Sequence, residues 1–196
     1  MSLEIKTILG ALAALLIIVS YFPYVTSVVS GRTRPHAFSW FVWALLSGIA
    51  FFAMVSSGAG TGSWETGVSA LGCLIIFFLA ITRGDRRFSS FDWTSLGLAL
   101  LAIVLWRITH APITAAILVT LGDALGFLPT YHKGFVRPHE EHLAPFAFGT
   151  SASGIAFFAL QSYSPAAWLY PASLVITNGA FVLLLLVRRK RIPQTT

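Results

Sequence analysis

Apolar positions fall in seven long blocks, roughly 7–29, 37–57, 66–82, 93–109, 112–131, 143–161 and 166–187, and polar positions collect in the short breaks between them. A helix that crosses ~30 Å of hydrocarbon with every backbone group paired needs about 20 apolar residues. Each block is therefore predicted to be a membrane-spanning helix. The third and fourth are short enough to thin the bilayer or to stand nearly upright. Gly31 to Pro35 ends the first block, with Pro35 placed to open the second. Ser57–Ser63 (SGAGTGS) predicts a flexible, uncharged turn, Arg83–Asp92 a charged loop and Thr109–Pro112 a tight one. His132–His142 is polar, and Gln161–Pro165 is a short turn.

The blocks are not independent. Ser47–Ala53 reads SGIAFFA, and the same seven residues return at Ser153–Ala159, an offset of 106. Pro23 and Pro129 stand at that offset too. Arg34-Pro35-His36 returns as Arg137-Pro138-His139 at an offset of 103, and three extra residues, Glu140, Glu141 and His142, then restore the register. Four anchors in one order with a compensated slip predict two copies of one unit. The first block has a counterpart at 112–126, which favours a retained helix over a cleaved leader.

Composition agrees with a lipid solvent. The chain of 196 residues is 56% hydrophobic and 10% charged, with a mean hydropathy of +0.79. A single cysteine, Cys73, excludes an intrachain disulfide. The pI near 10.0 raises the question of nucleic acid, and the placement of the cations answers it. Eleven of the 13 Lys and Arg residues fall on one side of the predicted helices: Arg32, Arg34, Arg83, Arg86, Arg87, Lys133, Arg137 and Arg188 to Arg191. Only Lys6 and Arg107 fall on the other. This split predicts that the basic side is cytoplasmic, with the N-terminus outside and the C-terminus inside. It leaves no basic domain for nucleic acid, and some attraction to anionic lipid. Trp64, Trp93, Trp106 and Trp168 lie near predicted helix ends, as an aromatic belt requires.

Helices one to three match helices five to seven, with the fourth between them. Three is odd, so one linking helix makes the two units enter the membrane in the same direction, as parallel repeats about an axis along the membrane normal. The fold class expected is an all-α integral membrane protein with seven transmembrane helices. Residues 1–91 form the first repeat, 92–111 the linker helix, and 112–196 the second repeat with a basic tail.

This 3+1+3 plan, with a proline near the inner third of the first and fifth helices, resembles the SWEET and PQ-loop transporter superfamily. The PQ-loop pattern has Gln after the proline, whereas Tyr24 follows Pro23 and Thr130 follows Pro129. The block Thr33–Trp43 (TRPHAFSWFVW) followed by SGIAFFA is similar to a widespread family of small bacterial membrane proteins. The resemblance implies the fold, a bacterial inner-membrane location and a transporter-like class, and names no substrate. In the SWEET-like plan substrate contacts lie at mid-membrane on the third helix of each unit, which implies Asn178.

Asp123 is the one carboxylate that the predicted helices hold at depth. It stands ~3 Å from the middle of its block at 1.5 Å per residue, where an ionised group must be paired or hydrated and face the bundle interior. It reads either as a coupling carboxylate or as a hydrogen-bonded tie between helices. Asn178 lies at similar depth, as a substrate ligand or an interhelical hydrogen bond. Their partners at offset 106 are Ile17 and Gly72, so the site is asymmetric. Trp40 and Trp43 share a helix face, and Trp43, the deeper, could stack on a flat ligand or a sugar. Pro23 and Pro129 each remove a backbone donor and read as paired hinges or static kinks. Arg34, His36, Arg137 and His139 read as structural caps of the basic loops, the proline opening a helix and the arginine holding lipid phosphate or a helix end. Glu140 and Glu141 suit a helix N-terminus. His139 and His142, at i, i+3, are too short a cluster to argue a metal.

HExxH, GxSxG, P-loop and CxxC patterns are absent, so an enzyme is not expected, and no cofactor or metal. The expected function is a small-solute transporter or facilitator working by alternating access around a mid-membrane site, proton-coupled if Asp123 titrates. The alternative is a non-transporting receptor or scaffold on the same fold, whose basic loops and tail bind a partner. The partners expected are a small-molecule solute and membrane lipid, with a homo-oligomer left open.

Overall fold

The structure, a computed structural model, describes residues 1–84, 90–139 and 141–192. Arg86, Arg87 and Glu140 lie outside the described residues. Among the described residues there are seven α-helices and no strand: α1 (Leu3–Val29), α2 (Ala37–Ser56), α3 (Trp64–Arg83), α4 (Ser90–Thr109), α5 (Pro112–Val136), α6 (Leu143–Ala159) and α7 (Pro165–Arg191). All seven predicted blocks are helices. Five of them, with α3 counted from Gly60, are long and apolar enough to cross a membrane, and α6 and the Trp93–Thr109 part of α4 are shorter apolar helices. This is consistent with a helical membrane protein.

Helix ends follow local chemistry rather than the limits of apolarity. Ser2 caps α1 by accepting from the Ile5 N–H at 3.4 Å. Pro112 and Pro165 open α5 and α7, where a missing N–H costs nothing. Gly31, at φ 75°, turns the chain out of α1. The helices α5 and α7 continue past their apolar blocks, α7 through Arg188–Arg191, because cations suit a helix C-terminus. Pro23, Pro129 and also Pro171 lie inside their helices.

Helix α3 packs between α1 and α2, and α7 packs between α5 and α6. Between these triplets α1 pairs with α6 and α2 with α5, while α4 lies against α5 and α2. The main core gathers Val42, Leu46, Ile49, Ala50 and Ala53 of α2 with alanines of α4 and α5, Val119 and Tyr170. Large apolar side chains such as Phe22, Phe78, Ile108 and Ile176 point outward. Lipid removes the hydrophobic drive between helices, so close approach by small residues must hold them. The duplicated heptapeptide supplies these twice: Ser47, Ala50 and Ala53 are buried in α2, and Ser153, Ala156 and Ala159 in α6. Phe52 and Phe158 are each 61% exposed.

The turn before α3 differs from the sequence expectation. Gly60–Ser63 is not a flexible outer turn but a short 3-10 helix, with Thr61, Gly62 and Ser63 buried against α1 and α6. Thr61 Oγ1 lies within hydrogen-bond distance of Lys6 O (3.1 Å) and Ala159 O (3.2 Å), and Lys6 Nζ donates to Leu160 O at 2.6 Å. Glycines make the fit possible. A Cβ on Gly10 would stand 2.5 Å from Thr61 O, and one on Gly62 2.7 Å from the Leu160 backbone. The tryptophans divide: Trp64 and Trp93 are exposed, whereas Trp106 and Trp168 pack against the two core clusters.

Candidate functional site

Asp123 lies one residue from the midpoint of α5 and is 9% exposed. Among the described residues it has no hydrogen bond and no ion pair. One turn earlier on the same face, Thr120 Oγ1 is buried and also without a partner. A buried polar group without a partner costs stability, and Thr120 Oγ1 is such a group.

Two glycines let neighbours approach that face. Ser95 of α4 donates to Gly122 O at 2.8 Å. The Trp43 indole nitrogen lies 3.8 Å from where a Cβ of Gly126 would stand, one turn beyond Asp123. Trp43 is also half of an edge-on pair with Trp40, 5.3 Å between centroids, and Trp40 meets Tyr21 and Tyr24. The structure thus seats Trp43 of α2 beside the α5 segment that carries Asp123.

Asn178 is seated differently. Its Nδ2 donates to Leu174 O of its own helix at 2.9 Å, and its side chain fills the space above Gly149 of α6. Gly149 is the offset-106 counterpart of Trp43. In the first copy the counterpart of Asn178 is Gly72, against which Tyr21 packs. No hydrogen bond among the described residues joins Asn178 to Asp123 or Trp43.

A second buried carboxylate escaped the sequence reading. Glu65, in the first turn of α3, is 1% exposed. Its contacts are hydroxyls: Thr66 Oγ1 at 3.2 Å and Ser153 Oγ of α6 at 3.4 Å. No cation pairs with it among the described residues. Ser69 and Cys73 continue the same face of α3 at four-residue intervals, and the Tyr21 hydroxyl lies 2.9 Å from Ser69 Oγ and 3.4 Å from Cys73 Sγ. That Glu-x3-Ser-x3-Cys stripe was the available signal. Hydropathy alone hides it, because the apolar block begins at residue 66, just after Glu65.

The histidines of the two basic loops meet different helix ends. His36 is the N-cap of α2, its Nδ1 2.8 Å from Ser39 Oγ. His139 does not cap α6, which starts at Leu143 with His142 as its N-cap; its Nε2–H donates at 2.7 Å to the carbonyl of Ile192, the C-cap residue of α7. The three inserted residues displace the helix start, so Pro138 stands five residues before it and Glu141 outside it. Glu141 pairs with Lys133 at 2.7 Å instead. A cavity of about 520 Å³ opens beside the other loop, lined by Val29, Ser30, Gly31, Arg34, Thr82, Arg83 and Gly84. Asp123, Asn178 and Trp43 do not line it.

No protein-family model, curated protein or solved structure matches the chain.

Proposed function

We propose that the chain is a small-solute membrane transporter or facilitator, working by alternating access between two parallel three-helix units joined by α4, in a bacterial inner membrane with the basic end in the cytoplasm. The two-unit arrangement is supported by the third helix of each triplet lying between the other two, and by the reciprocal pairs α1–α6 and α2–α5. Ring pairs recur as well: Tyr21–Trp40 and Phe127–Phe146 are edge-on contacts of 6.2 and 5.7 Å at equivalent positions.

The observation that carries the transport reading is Asp123, buried at the middle of a lipid-spanning helix with no partner among the described residues. Such a group is costly in a bilayer and marks a pathway for a solute or a proton by default. Trp43 adds an aromatic wall, Asn178 a polar group at similar depth, Glu65 a second carboxylate, and Pro23 and Pro129 the hinges.

The test is thermal stability of the purified chain against sugars, vitamin precursors, amino acids and nucleosides at two pH values, followed by flux of any hit in proteoliposomes. A ligand of the folded state alone raises stability with the logarithm of its concentration. A stabilising solute whose effect is lost in Asp123→Ala and Asn178→Ala supports the site. Flux independent of pH and unchanged in Asp123→Asn removes proton coupling.

The second reading, a receptor or scaffold, is favoured by the hydrogen bonds of the second loop, where Arg189 donates to Pro138 O and Glu141 O. It predicts no stabilising solute and no flux.

A further inference from the structure

The two basic loops are built alike and finished differently. In each, an arginine at the end of the triplet's third helix donates to a carbonyl at the end of its first. Arg83 Nη1 donates to Val29 O, and Arg188 Nε donates to Phe135 O at 2.9 Å. Val29 and Phe135 stand 106 apart, the offset of the duplicated heptapeptide, whereas the residue at that offset from Arg83 is Arg189. Beside that contact the second loop is filled from within. Arg189 donates from Nε to Pro138 O at 3.1 Å and from Nη2 to Glu141 O at 2.5 Å, and the Glu141 carboxylate holds Lys133 at 2.7 Å. Glu141 belongs to the three residues that the second loop carries and the first lacks.

The first loop has no such filling among the described residues, and a cavity of about 520 Å³ opens beside it. Arg34 and Arg83 line it, and among the described residues no acidic one does. Arg34 makes no hydrogen bond or ion pair among the described residues, and Arg83 uses one N–H on Val29 O. A guanidinium has five donors in a planar fork that fits phosphate two oxygens at a time. We propose that this cavity binds a phosphate group between Arg34 and Arg83, an external anion supplying the acceptors that the Pro138 and Glu141 carbonyls give Arg189 in the second loop. The phosphate belongs either to an anionic lipid headgroup at the membrane surface or to a free phosphate in solution.

The full chain is placed in phosphatidylcholine nanodiscs and titrated with inorganic phosphate, with the thermal midpoint as readout. In parallel, nanodiscs of phosphatidylcholine with phosphatidylglycerol are used, and the lipid retained by the released protein is counted by mass spectrometry. Arg34 is exposed, so Arg34→Gln folds. Arg191→Gln removes the same charge from the end of α7, outside the cavity. Wild type and Arg191→Gln are expected to bind at least one probe, and Arg34→Gln to bind it at least tenfold more weakly. Ser30→Glu, which places a carboxylate in the cavity, is expected to exclude the probe. Retained phosphatidylglycerol with no response to phosphate assigns a lipid headgroup; the converse assigns a free phosphate. Binding of neither probe, equal binding by wild type and Arg34→Gln, or equal loss in Arg191→Gln overturns the proposal. Binding is read without flux, so the result is independent of whether the chain transports.

Discussion

Ser153 of α6 donates to Glu65 Oε1 of α3 across 3.4 Å, with both residues 1% exposed. Its counterpart in the first copy, Ser47, turns back on its own helix and donates to Trp43 O at 2.5 Å. One position of the duplicated heptapeptide thus links the two triplets, and the other serves only α2. Ser153→Ala is expected to destabilise the fold by about 0.5–1.5 kcal/mol by withdrawing a donor from a buried carboxylate. Ser47→Ala is expected to change stability by less than about 0.5 kcal/mol. Denaturation of the two variants in detergent compares them directly, and equal losses would mean that the Glu65 link carries nothing.

Asp123 sets stability against function. The residue is 9% exposed and its carboxyl has no hydrogen bond or ion pair among the described residues, so Asp123→Leu is expected to raise the thermal midpoint while abolishing solute binding and flux. A receptor or scaffold would gain the stability and lose nothing. A fall in midpoint would show that the carboxyl is held by something absent from its present surroundings.

The glycines sort by what a methyl group would meet. On Gly62 it would stand 2.7 Å from the Leu160 backbone and on Gly10 2.5 Å from Thr61 O, whereas nothing lies within 4 Å of such a group on Gly48 or Gly97. Gly62→Ala and Gly10→Ala are expected to cost about 1–3 kcal/mol through forced backbone shifts. Gly48→Ala and Gly97→Ala are expected to gain about 0.5–1 kcal/mol by removing a flexible residue from a helix interior. Thermal midpoints that fail to separate the two pairs would contradict the tight fit of the 3-10 helix.

His110, between α4 and α5, has φ 52°, a conformation that costs most side chains on the order of 1–2 kcal/mol. His110→Gly is expected to leave the midpoint unchanged or raised, and His110→Val to lower it. If the valine variant matches wild type in a melting curve, the tight turn relaxes at no cost.

The helices were legible because lipid leaves a long, continuous signal: each apolar block between polar breaks became a helix. Close packing was legible only through the duplicated heptapeptide, whose small residues proved buried in both copies. Depth was read less well. Hydropathy alone places Glu65 outside α3, because a charge and a glycine-rich turn look like solvent, and only the fit of Thr61 and Gly62 between α1 and α6 shows otherwise. Asp123 and Trp43 could be assigned to helices by spacing, but their shared neighbourhood depends on how α2 crosses α5 at Gly126. Asn178 shows the converse. Depth suggested a common site with Asp123, whereas its rotation about α7 turns it towards Gly149, and depth carries no information on rotation.

The 3-10 helix ahead of α3 has a bearing on the cell as well as on the fold. It wedges main chain against main chain between α1 and α6, with a lysine, a threonine and three carbonyls satisfying one another there. Water threads poorly through such a plug, and a hydrated ion less well. In a chain whose helices are long and apolar enough to cross a membrane, such a seal would oppose an ion leak along this seam.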